Sequence, residues 1–219
     1  MNGQIKSKQR IRDHGEVFTA EREVKAMCDL VRDETERIDS RFLEPACGDG
    51  NFLAEILSRK LSSVRKKYGK SPSDYEKNAV LAASSIYGVD ILQDNVIACR
   101  ERMFGIWDKE YSAVCKKDCN DETRKAVRFI FSRNIVCGNA LTLMCVDENG
   151  KDTAAPIVFS EWSFVTGNNM QRCDYTFAEL LADVRRAPGQ RSMFDADYEE
   201  GVFLKRYISN YRKVWENGG

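Results

Sequence analysis

The residues best suited to chemistry lie in one segment, Phe42–Phe52, which reads Phe-Leu-Glu-Pro-Ala-Cys-Gly-Asp-Gly-Asn-Phe. Its apolar start is typical of a buried strand, and Gly48 and Gly50 mark a tight turn after it. Glycine has no Cβ, so this backbone can pass close to a ligand. Glu44 at the strand end can accept from an ammonium group or a bound water. The segment lacks both Gly-x-Gly-x-x-Gly and Gly-Lys-Ser/Thr, so it does not predict a phosphate site.

Two more polar residues follow later apolar runs. Asp90 ends the second run, 40 positions after Gly50. An acid at this place in a nucleotide site holds ribose hydroxyls, and the alternative is a helix N-cap. Asn139 follows the third run, and its amide oxygen can accept from an adenine amino group, with a helix cap again the alternative. Ligands bind beyond the carboxyl ends of parallel strands, so all three groups are predicted to share one site.

The elements that position these residues can be predicted from apolar spacing. Polar, basic residues 62–78 are predicted as a surface excursion. The predicted strands cover residues 41–47, 86–91, 134–137 and 156–165. The predicted helices cover residues 20–37, a stretch starting at 52, 94–107, a stretch closing at 129–131, 176–186 and 195–216. Strands that alternate with helices indicate an α/β fold with a mainly parallel sheet.

Composition excludes several classes of protein. Of the 219 residues, 42% are hydrophobic and 31% charged, which is typical of a soluble globular chain. No apolar run approaches the ~20 residues of a membrane span, and because the first residues contain no apolar stretch we expect no secretory signal. The 34 basic and 34 acidic residues cancel, so bulk charge does not point to nucleic acid. Eight scattered cysteines predict reduced thiols in a cytoplasmic protein. A single histidine, His14, argues against a metal site and a His-dependent hydrolase.

From about His14 to Leu143 the chain resembles the cofactor-binding half of N6-adenine DNA methyltransferases of restriction–modification systems. The similar motifs are 14–19, which in the family closes over the methionine end of the cofactor, 43–52, the main cofactor motif, 88–91, the ribose motif, and 138–141, the adenine-side motif. The resemblance implies a Rossmann-like S-adenosylmethionine-dependent methyltransferase fold. Because the chain is short for that fold, we expect a truncated sheet and a helical C-terminal segment.

The resemblance also implies roles for individual residues. Thr19 and Glu44 would lie near the methionine moiety of S-adenosylmethionine, Asp90 would hold the ribose, and Asn139 would face the adenine amino group. An Asp is common in the family at the position of Asn139. The complete predicted cofactor set is Thr19, Glu44, Pro45, Ala46, Gly48, Gly50, Phe52, Asp90, Ile91, Asn139 and Ala140.

The family's catalytic motif, Asn/Asp-Pro-Pro-Tyr/Phe, is missing, because the chain contains no Pro-Pro. The nearest match is residues 164–171, in which Asn168 is the candidate catalytic residue. Asn169, Met170 and Gln171 stand where the family has Pro-Pro-Tyr. The amide acceptor is kept, whereas the rigid turn and the ring that stacks on a flipped base are not. A plain strand-to-turn segment is the alternative.

Three regions are predicted: an arm and helix closing the cofactor site (1–38), an S-adenosylmethionine-binding α/β domain (39–170) and a helical segment (171–219). One predicted function is an adenine-specific DNA methyltransferase, or its cofactor-binding part, in a restriction–modification or phage-defence system. The alternative is a catalytically inactive subunit that binds S-adenosylmethionine as a scaffold or sensor. A methyltransferase for RNA, protein or a small molecule is a third.

DNA would be contacted through a partner subunit or through local basic patches. We also expect a protein partner that completes the fold. We expect no membrane association and no metal. The two candidate patches consist of Arg65, Lys66, Lys67 and Lys70, and of Arg185, Arg186 and Arg191. The alternative for each patch is an ordinary solvated face.

Overall fold

The computed structural model describes residues 19–184 and 204–217. Strands β1 (Phe42–Glu44), β2 (Ile86–Asp90) and β3 (Ile135–Asn139) pair in parallel and in sequence order. Strands β4 (Met144–Val146) and β5 (Asp152–Pro156) extend the same sheet in antiparallel fashion. The predicted α/β class and the first three strands are confirmed, and the whole sheet is mixed.

Helices precede and connect the parallel strands. Before β1 lie α1 (Glu21–Leu30) and α2 (Arg32–Glu36); between β1 and β2 lie α3 (Asn51–Tyr68) and α4 (Pro72–Ser84). Between β2 and β3 lie α5 (Gln93–Cys115), a 3-10 turn (Lys116–Asp118) and α6 (Asp121–Asn134). Helices are present in each of the predicted intervals, but the single helix predicted at 20–37 is divided at Val31, and α5 is longer than expected.

The surface excursion predicted for residues 62–78 is wrong, because most of it is helical. Helix α3 continues to Tyr68, and α4 begins four residues later. The Ser71 hydroxyl accepts from the Asp74 N–H, and Pro72 occupies the first turn of α4. Both features start a helix without an apolar signal. The basic residues here are therefore the exposed end of a regular helix.

A second sheet follows the first. Strands β6 (Val158–Phe164), β7 (Asn169–Thr176) and β8 (Lys205–Asn210) are antiparallel in the order β6-β7-β8. Helix α7 (Phe177–Val184) follows β7, and a 3-10 segment (Tyr211–Asn217) follows β8. The strand predicted at 156–165 exists, but it belongs to this second sheet instead of the parallel one.

The helical character predicted for residues 171–219 is wrong in two places, because β7 reaches Thr176 and β8 replaces a helix at Lys205–Asn210. Tyr207 and Ile208 fit the helical spacing, yet they also suit a strand. Pairing with β7 in the register Arg172↔Tyr207 decides between the two. The helix predicted at 176–186 is confirmed over Phe177–Val184.

The two faces of the parallel strands bury different clusters. The larger cluster packs the helices against one face, and the smaller one joins the other face to β6 and α7. Ile86 and Ile135 belong to the larger cluster, whereas Tyr87 and Val89 belong to the smaller one. Every residue of β2 is buried, as expected for a central parallel strand.

A buried carboxylate fastens the C-terminal 3-10 segment to the helical layer. Glu76 on α4 is 1% exposed and accepts hydrogen bonds from the hydroxyls of Tyr111 and Tyr211. The Arg212 guanidinium donates to the same carboxylate at 2.7 Å. Burial, together with the hydrogen bond to Glu76, raises the pKa of both tyrosines. The Glu76 carboxylate therefore joins α4 to α5, through Tyr111, and to the 3-10 segment, through Tyr211 and Arg212.

We expect Glu76→Gln to lower the free energy of unfolding by about 2–4 kcal/mol, because a buried charge-assisted network loses its acceptor charge. Chemical denaturation measures the change. The control is Glu101→Gln, which removes an exposed pair with Arg128 and should change stability by less than about 0.5 kcal/mol. Equal effects of the two variants would contradict this reading of the network.

Candidate functional site

A cleft of about 580 Å³ opens beyond the carboxyl ends of β1, β2 and β3. Every residue of the predicted cofactor set lines it except Gly50. The predicted residues that line the cleft are Thr19, Glu44, Pro45, Ala46, Gly48, Phe52, Asp90, Ile91, Asn139 and Ala140. Segments separated by about a hundred residues of sequence thus meet at one edge of the sheet.

Six further residues line the cleft that were not among the individually predicted cofactor residues. They are Cys47, Asn51, Leu92, Asn95, Gly138 and Leu141. Four of them lie inside the predicted motifs 43–52 and 138–141, and Leu92 directly follows the motif 88–91. Asn95 differs, because it lies five positions after Asp90 and reaches it from the first turn of α5.

The Asp90 carboxylate organises the centre of the cleft. One of its oxygens accepts from the Gly48 N–H at 2.9 Å. The other accepts from the Leu92 N–H at 2.8 Å and from the Asn95 amide at 3.2 Å. A carboxylate offers about four lone-pair positions, so three protein donors leave acceptor capacity for a ligand hydroxyl. The Gly-rich turn is thereby fixed to the end of β2.

Gly50 serves the turn and does not face the cleft. Its φ of 91° lies in the left-handed region, and it directly precedes the first residue of α3. A Cβ at this position would come within 2.7 Å of the Cys99 sulfur. The predicted ligand clearance therefore falls to Gly48, which lines the cleft.

One side of the cleft is formed by Glu44 and Thr19. Glu44 is half-buried, and burial raises the pKa of its carboxyl while a hydrogen bond from the Ala46 N–H opposes that shift. The Thr19 carbonyl accepts from the Asn51 amide at 3.4 Å, which ties the chain before α1 to the start of α3. The residues of the predicted N-terminal motif before Thr19 lie outside the described residues.

The Cys47 thiol also lines the cleft. The neighbouring Cys99 thiol and burial raise the pKa of Cys47 well above its ordinary value. The thiolate is the reactive form of cysteine, so this residue is not poised as a nucleophile. All eight cysteines are free thiols.

The opposite side of the cleft is held by Asn139. Its amide oxygen accepts from the Leu141 N–H at 3.0 Å, and its amide nitrogen donates to Asp152 at 3.1 Å. Asn139 thus caps the turn between β3 and β4 and does not begin a helix. Asp152 lies on β5 and was not predicted, because no motif connects it to β3 in the sequence.

Asn168 lies far from the cleft. Strand β6 starts after Ile157, which packs on Gly138 at the carboxyl end of β3. It then runs to Trp162, whose indole N–H donates to Asn134 before the start of β3. Asn168 follows in the turn after β6, so it lies toward the amino ends of the parallel strands. The structure does not bring this residue to the other predicted site residues.

The predicted basic patches are also distant from the cleft or lie outside the described residues. Helix α3 has 18 residues and starts at the cleft, which gives it a length of about 27 Å. Arg65, Lys66 and Lys67 stand in its last turn and Lys70 follows, at the far end of the helical layer. Arg185, Arg186 and Arg191 lie outside the described residues.

Residues 19–184 and 204–217 show neither a cluster of metal ligands nor a helix able to span a membrane. No group of three or more His, Cys, Asp or Glu in these ranges is arranged to hold a metal ion. None of the helices described in these ranges combines the length and the apolarity needed to cross a bilayer.

The chain matches no protein-family model, no curated protein and no solved structure.

We expect Gly50→Ala to lower the free energy of unfolding by about 2–4 kcal/mol, because the new methyl group meets Cys99 and the left-handed backbone disfavours alanine. The matched control is Gly105→Ala in the exposed interior of α5, where no atom lies within 4 Å of the added Cβ. That change should stabilise the helix by about 0.5–1 kcal/mol. Thermal unfolding of both variants measures the two changes in stability. If both variants are destabilised, the structural requirement for glycine at position 50 is contradicted.

Proposed function

We propose that this chain binds S-adenosylmethionine in the cleft, as the cofactor-binding part of an adenine-specific DNA methyltransferase of a restriction–modification or phage-defence system. The observation that carries the proposal is the convergence of Thr19, Glu44, Asp90 and Asn139 on one cleft. A volume of about 580 Å³ suits a ligand of this size. The resemblance in the motifs supplies the identity of the cofactor.

The residues present fit the chemistry of this cofactor. The acceptor capacity left on Asp90 suits a pair of ribose hydroxyls. Glu44 offers a carboxylate to an α-ammonium group, and the first turn of α3 offers N–H groups to a carboxylate. Phe52 and Ile91 give an apolar surface for a flat ring. When bound, the sulfonium supplies a methyl group, and the protein's part is to position it and exclude water.

The position of Asn168 supports a division of the proposed reaction between two chains. This candidate catalytic amide lies at the opposite end of the parallel strands, in the turn between β6 and β7 of the second sheet. We therefore assign cofactor binding to this chain, and we assign the target base, its catalytic acceptor and most DNA contacts to a partner subunit. The same position favours the second candidate, a catalytically inactive subunit that binds S-adenosylmethionine as a scaffold or sensor.

Calorimetric titration of S-adenosylmethionine into the purified chain tests the binding. We expect micromolar affinity, weakened at least tenfold in Asp90→Asn, because the amide halves the acceptor capacity at the ribose. Asp118→Asn, an exposed acid in the 3-10 turn after α5, is the control and should bind like the parent chain. Circular dichroism verifies that each variant is folded. A folded parent chain that does not bind would overturn the proposal.

Transfer of a tritiated methyl group to adenine-containing duplex DNA tests the division of the reaction. The isolated chain should transfer no label above background, because the cleft holds no candidate catalytic amide acceptor from residues 164–171. Transfer by the isolated chain that disappears in Asn168→Ala would return the catalytic role to this residue. The assay is repeated with the complex that copurifies with the products of neighbouring genes. Transfer by that complex indicates that the chain is the cofactor-binding part of a methyltransferase, and no transfer indicates that it is a catalytically inactive subunit.

A further inference from the structure

Both the oxygen and the nitrogen of the Asn139 side-chain amide form hydrogen bonds within the protein. Its oxygen accepts from the Leu141 N–H at 3.0 Å, which fixes the turn after β3. Its nitrogen donates to the Asp152 carboxylate at 3.1 Å. The orientation of the amide follows from these two partners, since a flipped amide would place an oxygen against a carboxylate and a nitrogen against an N–H. Asn139 is therefore held in place, and one of the two acceptor positions on its oxygen is already occupied.

Asp152 does not itself line the cleft, but the hairpin of β4 and β5 places it against Asn139, which does. The turn of this hairpin approaches the cleft, because a Cβ on Gly150 would lie 3.9 Å from a side-chain carbon of Ile91. Ile91 and Asn139 both line the cleft, so the hairpin borders it between them. Asp152 is exposed, and no other described residue donates a side-chain hydrogen bond to its carboxylate.

We propose that Asp152, oriented by Asn139, accepts a hydrogen bond from the exocyclic amino group of the purine, so that the site selects 6-aminopurine over 6-oxopurine ligands. The inference rests on the proposed function and names a specificity-determining residue for the same cleft. A carboxylate that faces an amino group gains a charge-assisted hydrogen bond. Against a 6-oxo group the same carboxylate meets a second acceptor, and the two repel.

The pair also explains why the residue at 139 is an amide. An aspartate at 139 would place a second carboxylate about 3 Å from Asp152, and two like charges at that separation cannot both stay ionised. An amide at 139 and an acid at 152 give one negative charge and one orienting donor. The reverse arrangement, with the acid at 139 and the amide at 152, would satisfy the same rule.

The proposed preference for an amino group is tested with two ligands of the full chain. They are S-adenosylhomocysteine and its 6-oxo counterpart, S-inosylhomocysteine. We expect the parent chain to prefer the amino ligand at least tenfold, the effect of about one charge-assisted hydrogen bond. Asp152→Ala should bring that preference close to one. Glu148→Ala, an exposed acid in the turn of the same hairpin, is the matched control and should keep the preference.

Exchanging the two residues, so that the acid is at 139 and the amide at 152, distinguishes an effect on ligand recognition from an effect on folding. Asn139→Asp and Asp152→Asn should each weaken binding of the amino ligand about tenfold. The double variant should recover most of the loss, because it restores one acid beside one amide. Additive losses in the double variant, or an unchanged preference in Asp152→Ala, would overturn the assignment to Asp152 while leaving the cofactor site intact. A parent chain that binds neither ligand would overturn the proposed function together with this inference.

Discussion

The carboxylate of Asp90 is the group on which the rest of the site depends. It accepts from the backbone of the Gly-rich turn, from the backbone after β2 and from the first turn of α5. Two βα connections are thereby fixed to one strand end. Two positions before it on β2, Gly88 leaves room for Leu53 and Cys47, since a Cβ there would come within about 3 Å of both side chains. The strand-end contacts and this close packing together set the shape of the cleft.

Buried charges then fix the layers around this centre. The Lys60 ammonium on α3 is fully buried, and it donates to the backbone carbonyls of Arg37, Ile38 and Ser40 before β1. Burial lowers the pKa of Lys60 to about 7. Glu76 has the matching role at the C-terminus, where it joins α4 to Tyr211 and Arg212. Such groups are costly to bury without partners, so each one fixes a loop to the helical layer.

The strand ends could be predicted from the sequence, because a strand, a tight turn and a helix leave a local pattern. Asp90 and the Gly48–Gly50 turn belong to that class. The second sheet could not be predicted in this way, because β8 exists through its pairing with β7, and Tyr207 fits helical and extended spacing equally well. Asp152 was missed for a related reason: its partner, Asn139, lies on another strand, and only folding brings the two side chains together.

The described sheet ends at β1, and this boundary bears on the division of labour in the proposed function. Among residues 19–184 and 204–217, β1 pairs with β2 alone, and Leu43 in its centre is 40% exposed. An apolar groove of about 370 Å³ runs beside it, lined in part by Tyr87, Phe159 and Phe177. The cleft is therefore walled by β2, β3 and the β4–β5 hairpin on the side assigned to the purine. On the side of Glu44, no described strand lies beyond β1, which leaves that edge of the sheet available to the partner subunit of the proposed function.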